Sequence, residues 1–295
     1  GLLIPGFKLH KVVHENLERT LLMGTNEVTN EPVLIKLSKG KIKHREQLAR
    51  YKREQSIIKR LELDVMATPL DILNVKGSPI MVFKSFGDGL LNDLPKGEPL
   101  GVEDFLHIAI NFVKAVTELH FKRVTHSRLT PESVLVKWKT KEVRLLDLET
   151  ASMLDNEVPG VVNFNDLGSE IAYIAPEQSG RMNRKVDSRS NLYSVGCIFY
   201  EMLTNAKVFE YRSVVDLVYS HLAKNPEPPS KHNIAIPAII DNIILKLLNK
   251  NAEDRYQSAF GLSIDLENCL KQYEEDKKID TFKLGEYDLS NTFSF

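Results

Sequence analysis

Cysteine is scarce, with two in 295 residues. Cys197 and Cys269 sit in apolar helical contexts without a C-x-x-C spacing or a histidine cluster, which argues against a metal knot or a disulfide framework. That usage fits a reducing, cytoplasmic compartment. No sign of charge dominates either: 39 Lys+Arg face 40 Asp+Glu, so no global field draws the chain onto nucleic acid or an anionic membrane. Long apolar runs are missing too. Nothing approaches the length needed to span a bilayer, and Gly1-Leu2-Leu3-Ile4-Pro5 is too short for a signal peptide. The first residue is not Met, which points to a piece cut from a longer chain. One further absence is local: the nine residues from Val13 to Leu21 contain no glycine.

What is present is a globular pattern, 42% hydrophobic residues in a chain long enough for a large core. The first part alternates strand-like runs and turns, at Phe7 to Val13, Arg19 to Gly24 and Pro32 to Leu37. A charged helix is predicted over Arg45 to Leu61, with Leu48, Tyr51, Ile57, Ile58 and Leu61 as its apolar stripe. Two more strands follow, Leu70 to Val75 and Pro79 to Phe83, and Gly87-Asp88-Gly89 reads as a boundary turn.

Beyond that turn the pattern is helical: Val102 to Phe121, Asn191 to Leu203, Val214 to Leu222, Ile236 to Leu248 and Ala259 to Tyr273. Short strands, Val134 to Lys137 and Val143 to Leu146, lie between the first two of these helices. The order is α+β, a small β-rich lobe over residues 1–87 and a larger helical lobe over 88–275. Residues 276–295 read as a linker toward a following domain.

Several segments in order resemble the protein kinase superfamily across Phe7 to Tyr273. Lys36 ends a strand like the one that carries the phosphate-binding lysine, and Glu54 stands as its helix partner, with Glu46 as the competing candidate. His126-Ser127-Arg128-Leu129-Thr130-Pro131-Glu132-Ser133 resembles the catalytic loop. Asp147-Leu148-Glu149 stands in the place of the metal-binding Asp-Phe-Gly, and Ala175-Pro176-Glu177 closes an activation segment. Asp254-Arg255-Tyr256 resembles the late arginine that pairs with Glu177. A narrower resemblance, on Tyr173 to Arg184 and on Phe282 to Ser290, is to the N-terminal kinase-like domain of multidomain hybrid histidine kinases and related sensor proteins of fungi and bacteria.

The resemblance implies a bilobal kinase-like fold whose reaction is impaired. Arg128 takes the place of the aspartate base, Thr130 that of the loop lysine and Ser133 that of the metal-binding asparagine. Losing a positioned base costs about 10²- to 10⁴-fold. Two readings of Arg128 stand: it bridges to Asp147 in place of magnesium, or it faces solvent.

His14, Asn16 and Arg19 occupy the glycine positions of the phosphate loop, and Leu34 replaces the small residue over the adenine. Arg19 reads either as a phosphate contact or as a solvated strand residue. Lys36, Glu54 and Asp147 remain as a remnant nucleotide site, weak for ATP and magnesium, with Asp147 as the metal ligand and Glu149 as an optional second one.

Glu177 with Arg255, and Asp187 with Arg189, read as scaffold pairs, and His126 as a packed loop histidine. His107, His221 and His232 show no metal-type spacing. Leu154 to Ser169 is the activation-segment equivalent, where Ser169 and its neighbours are candidate phosphorylation sites.

The leading reading is therefore a pseudokinase module of a larger signalling protein, of the phosphorelay histidine kinase type. Its expected partners are an ATPase-like module of the same chain and other signalling proteins, with neither nucleic acid nor membrane among them. The alternatives are an atypical active Ser/Thr kinase, with Glu149 or Glu132 as base, or a switch that binds ATP without transferring phosphate.

Overall fold

The computed structural model describes residues 2–39, 42–153 and 168–288. Most of the expected activation-segment equivalent, 154–167, lies outside the described residues. The chain forms two compact units, one of residues 1–91 with 132–150, the other of 92–131 with 151–295. A single cut near residue 87 therefore misses one excursion: the segment after the catalytic-loop positions returns to the first unit.

In the first unit, β1 (Phe7–Glu15), β2 (Arg19–Asn26), β3 (Pro32–Ser38), β4 (Pro69–Val75) and β5 (Ser78–Lys84) make one antiparallel sheet in the order β1-β2-β3-β5-β4. Strand alternation divides its apolar residues between two faces. Val33, Ile35 and Leu37 join Ile80 and Val82 on one face. Leu34 joins Leu21, Met81 and Phe83 on the other, the face that α1 (His44–Arg60) covers through Tyr51. Lys36 shares the parity of Leu34, so its position in the strand sends it toward α1.

A second, smaller sheet of β6 (Gly89–Leu90), β8 (Val134–Val136) and β9 (Val143–Leu145) completes this unit. Gly87 makes the approach to it with φ at 77°, and a Cβ there would lie 2.5 Å from the Val136 carbonyl oxygen. Only glycine fits such a turn.

The second unit holds α2 (Val102–Phe121), the short pair β7 (Val124–Thr125) and β10 (Ser152–Met153), then α3 (Ser188–Thr204), α4 (Val214–Ala223), α5 (Ala238–Leu247) and α6 (Ala259–Asp276). Helix starts follow their caps. Asp187 accepts from the Arg189 N–H at 2.9 Å, so α3 begins before the expected Asn191. Ser213 and Ser258 cap α4 and α6 in the same way. Phe105 on α2 meets Phe199 on α3 edge to face, centroids 5.1 Å apart. Cys197 and Cys269 are unpaired and buried, and burial pushes both thiols up to about 12, out of reach of ordinary thiolate chemistry.

The stretch expected as a linker lies against α6 as far as residue 288. The Gly285 N–H donates to Asp265, and Asp288 accepts from the Gln257 and Ser258 N–H groups and from the Ser258 hydroxyl. Among the described residues, no helix is long and apolar enough to cross a membrane.

Candidate functional site

The site of the first unit is built around Lys36. It stands on β3 opposite Leu21 of β2 and Met81 of β5, and is 1% exposed. Helix α1 presents Gln47, Tyr51, Glu54 and Ile58 at helical spacing toward the sheet, so Glu54 arrives buried beside the lysine. Lys36 Nζ lies 3.0 Å from Glu54 Oε2, 3.2 Å from Asp147 Oδ1 and 2.6 Å from Glu149 Oε1. The ammonium also faces two aromatic rings, with Nζ 5.4 Å from the Tyr51 centroid and 5.3 Å from that of Phe83. Glu46, the competing partner, pairs instead with Arg50 at 2.9 Å on the outer face of α1.

Each carboxylate has a second anchor. Glu54 Oε1 accepts the Leu148 N–H at 3.1 Å, and Glu149 Oε2 accepts from Gln47 at 3.3 Å. Asp147 holds a left-handed backbone, φ 73°, which aspartate tolerates better than bulkier residues. Burial alone would depress the Lys36 ammonium, but Glu149, Glu54 and Asp147 outweigh it and hold the group well above the usual lysine value. Burial raises Glu54 by more than Lys36 lowers it. Burial also acts to raise Glu149, yet Lys36 outweighs it and the carboxyl sits below its ordinary value. Lys36 is thus a fixed cation, and Glu149 is an ionised partner to it.

The glycine-free stretch supplies what the sequence reading missed. Arg19, the first residue of β2, donates through Nη1 to Asp147 Oδ1 and through Nη2 to the Glu132 carbonyl oxygen, the latter at 2.7 Å. Rather than a solvated strand residue, it is a second cation of the cluster: burial acts to lower its guanidinium, but Asp147, with Glu149 and Glu132, together outweigh burial and raise it. His14 Nε2 lies 3.3 Å from Glu132 Oε2, and Asn16 Nδ2 comes within 3.5 Å of the same oxygen. Asn16 Oδ1 in turn accepts the backbone N–H groups of Glu18 and Arg19, at 2.8 and 2.9 Å. The available signal was the spacing of His14, Asn16 and Arg19, which places them at the end of β1, in the turn and at the start of β2. Their common target, Glu132 and Asp147, is more than a hundred residues away in sequence.

Leu34, expected in place of the small residue over an adenine, is 1% exposed and packs with Leu21, Phe83, Leu90 and Leu135 in one apolar cluster. Ser133 is buried in this unit, and its carbonyl accepts the Leu146 N–H at 2.8 Å.

In the second unit, His126 braces its loop. Its Nδ1 accepts the Arg128 N–H at 3.0 Å, while Asn191 exchanges hydrogen bonds with the His126 backbone. The Arg128 guanidinium donates to Glu170, a carboxylate that also accepts the Gly168 N–H. Within the first unit, the guanidinium that meets Asp147 is that of Arg19. Thr130 is buried. The Glu177–Arg255 pair is bidentate and buried, at 2.6 and 2.9 Å, with Ser190 donating to Glu177.

One grouping of possible ligands lies apart from the expected sites. Among the described residues, Glu103, His107 and Glu274 bring ligand atoms within 4.8 Å of one another. Two of these residues share α2 and the third comes from α6, a juxtaposition made by helix packing alone. Lys277 already pairs with Glu103 at 3.3 Å.

A family model for the protein kinase domain matches residues 20–265. Hybrid signal transduction histidine kinase G of Dictyostelium discoideum is 36% identical over 165 residues, 49% of this chain and 5% of that protein. Serine/threonine-protein kinase PknB of Mycobacterium tuberculosis is 29% identical over 189 residues, 64% of this chain and 30% of that protein. The chain therefore spans only a minor part of the length of these relatives.

Proposed function

The chain belongs to the protein kinase domain family, and on that premise we propose that it is a catalytically impaired member, a regulatory or interaction module of a larger signalling protein. The observation that carries this reading is Arg128. At the position of the substrate-orienting aspartate stands a cation that accepts no proton, and its guanidinium donates to Glu170. Thr130 and Ser133 at the other two loop positions support the same reading. Similarity to a hybrid histidine kinase supports a parent of the phosphorelay sensor type, with an ATPase-like module of the same chain as the partner.

The test is transfer from radiolabelled ATP to the domain itself and to a general protein substrate, with magnesium and with manganese. Incorporation is expected to stay at the level of a Lys36→Ala control. Incorporation that Lys36→Ala abolishes overturns the reading. It would favour the second one, an atypical Ser/Thr kinase, which draws on the 3.0 Å Lys36–Glu54 pair and on the similarity to PknB.

A further inference from the structure

Magnesium–ATP fits this first unit poorly, and the misfit has a definite construction. A phosphate loop offers bare backbone N–H groups to the phosphates, and an aspartate offers oxygen to the metal. Here the N–H groups of Glu18 and Arg19 are taken by the side-chain oxygen of Asn16. Asp147 Oδ1 accepts from both Arg19 and Lys36. Magnesium needs oxygen ligands at about 2.0–2.1 Å in near-octahedral order, a geometry a carboxylate oxygen facing two cationic N–H donors does not offer.

We propose that the turn between β1 and β2 is a built-in substitute for the metal nucleotide: Arg19 is the resident cation at Asp147, and Asn16 is the acceptor for the loop N–H groups. Asn16 at the Glu132 carboxylate and Arg19 at the Glu132 carbonyl latch the turn in that position, with the His14 ring packed 3.3 Å from the same carboxylate. Three residues at the spacing of three glycines thus engage one anchor, Glu132, or its neighbour in the cluster, Asp147. Asp147 and Glu149 complete the charge pattern around Lys36 beside Glu54. The consequence is a module held in one state regardless of cellular ATP. This rests on reading the domain as non-catalytic, yet it concerns ligand binding and is tested separately from transfer.

The experiment compares wild type, Arg19→Ala and the double variant Asn16→Gly with Arg19→Gly in calorimetric titrations with manganese(II) alone and with manganese–ATP. Circular dichroism serves as the folding control. Should Arg19→Ala not fold, Arg19→Met keeps the buried stem and replaces it. Wild type is expected to show no saturable binding. The variants should bind manganese–ATP at least about tenfold more tightly, and adding Asp147→Asn should abolish the gain.

Wild-type binding of manganese–ATP as tight as that of the variants overturns the proposal. So does metal-free ATP binding that Arg19→Ala removes, since Arg19 would then be a phosphate ligand, and so does the absence of any gain in folded variants. Variants that bind and transfer no phosphate sustain both readings. Variants that bind and also transfer phosphate sustain the substitute but refute the loss of catalysis.

Discussion

Lys36 shows how a buried charge is compensated by its neighbours. Its ammonium is inside the protein with Glu54, Asp147 and Glu149 around it, and removing one partner of such a cluster leaves charge without compensation. Lys36→Met should therefore lower the unfolding free energy by about 3 kcal/mol or more, read from urea midpoints at constant slope. The sign with pH follows from the same residues. Without the lysine, Glu54, which burial raises, and Glu149, which Lys36 holds down, titrate higher in the folded state than in the unfolded chain, so the folded variant binds more protons and loses stability as pH rises. The defect should be larger at pH 8 than at pH 5. A defect independent of pH would mean that packing of the lysine stem, rather than charge, is what the substitution removes.

At the scale of elements, α4 is tied in place by a histidine. His221 Nε2 lies 3.0 Å from the Ile171 carbonyl oxygen, which can only accept, so Nε2 carries the hydrogen and Nδ1 accepts from the Tyr193 hydroxyl at 2.8 Å. Burial, aided by nearby Lys250, lowers this imidazole from 6.5 to about 4. Because the folded value is the lower one, the unfolded chain takes up the proton first. The stability contribution is complete above about pH 6.5 and is lost as pH falls toward 4, on the order of 3 kcal/mol across that window. His221→Gln should remove that part of the pH slope, measured as the difference between the two proteins' unfolding curves from pH 7 to 4.5. An unchanged slope assigns the acid sensitivity to carboxylates elsewhere.

Helices and strands were largely legible in advance, because 3.6-residue and two-residue periodicities are local properties. Val102–Phe121 falls where the apolar spacing places it. The approach of the tail to α6 was not legible. A charged stretch reads as linker until Asp288 is seen accepting from the Gln257 and Ser258 N–H groups just before that helix, and Gly261 is seen leaving room for it, where a Cβ would lie 2.4 Å from the carboxylate.

For the whole molecule, the substituted positions are distributed over both units, Arg128 and Thr130 in one, Ser133 and the glycine-position residues in the other. Repairing the catalytic loop alone, with Arg128→Asp, Thr130→Lys and Ser133→Asn together, should leave phosphate transfer at background. Adding His14→Gly, Asn16→Gly and Arg19→Gly is expected to raise it by about 10²-fold or more, the scale on which a positioned base acts. Recovery of transfer by the three loop reversions alone would show that the β1–β2 turn does not limit the reaction.

Composition and order determined the family, the two-lobed α+β pattern, the Lys36–Glu54 partnership and the Glu177–Arg255 pair, because motif spacing and periodicity carry those without knowledge of distant contacts. The tertiary structure alone decided where Arg19 points. A guanidinium on an edge of sequence with no local partner has no readable role until β2 and β3 bring it to Asp147, 128 residues further along the chain. The glycine-free stretch, first visible only as something missing, became through that fold a set of three side chains with definite partners.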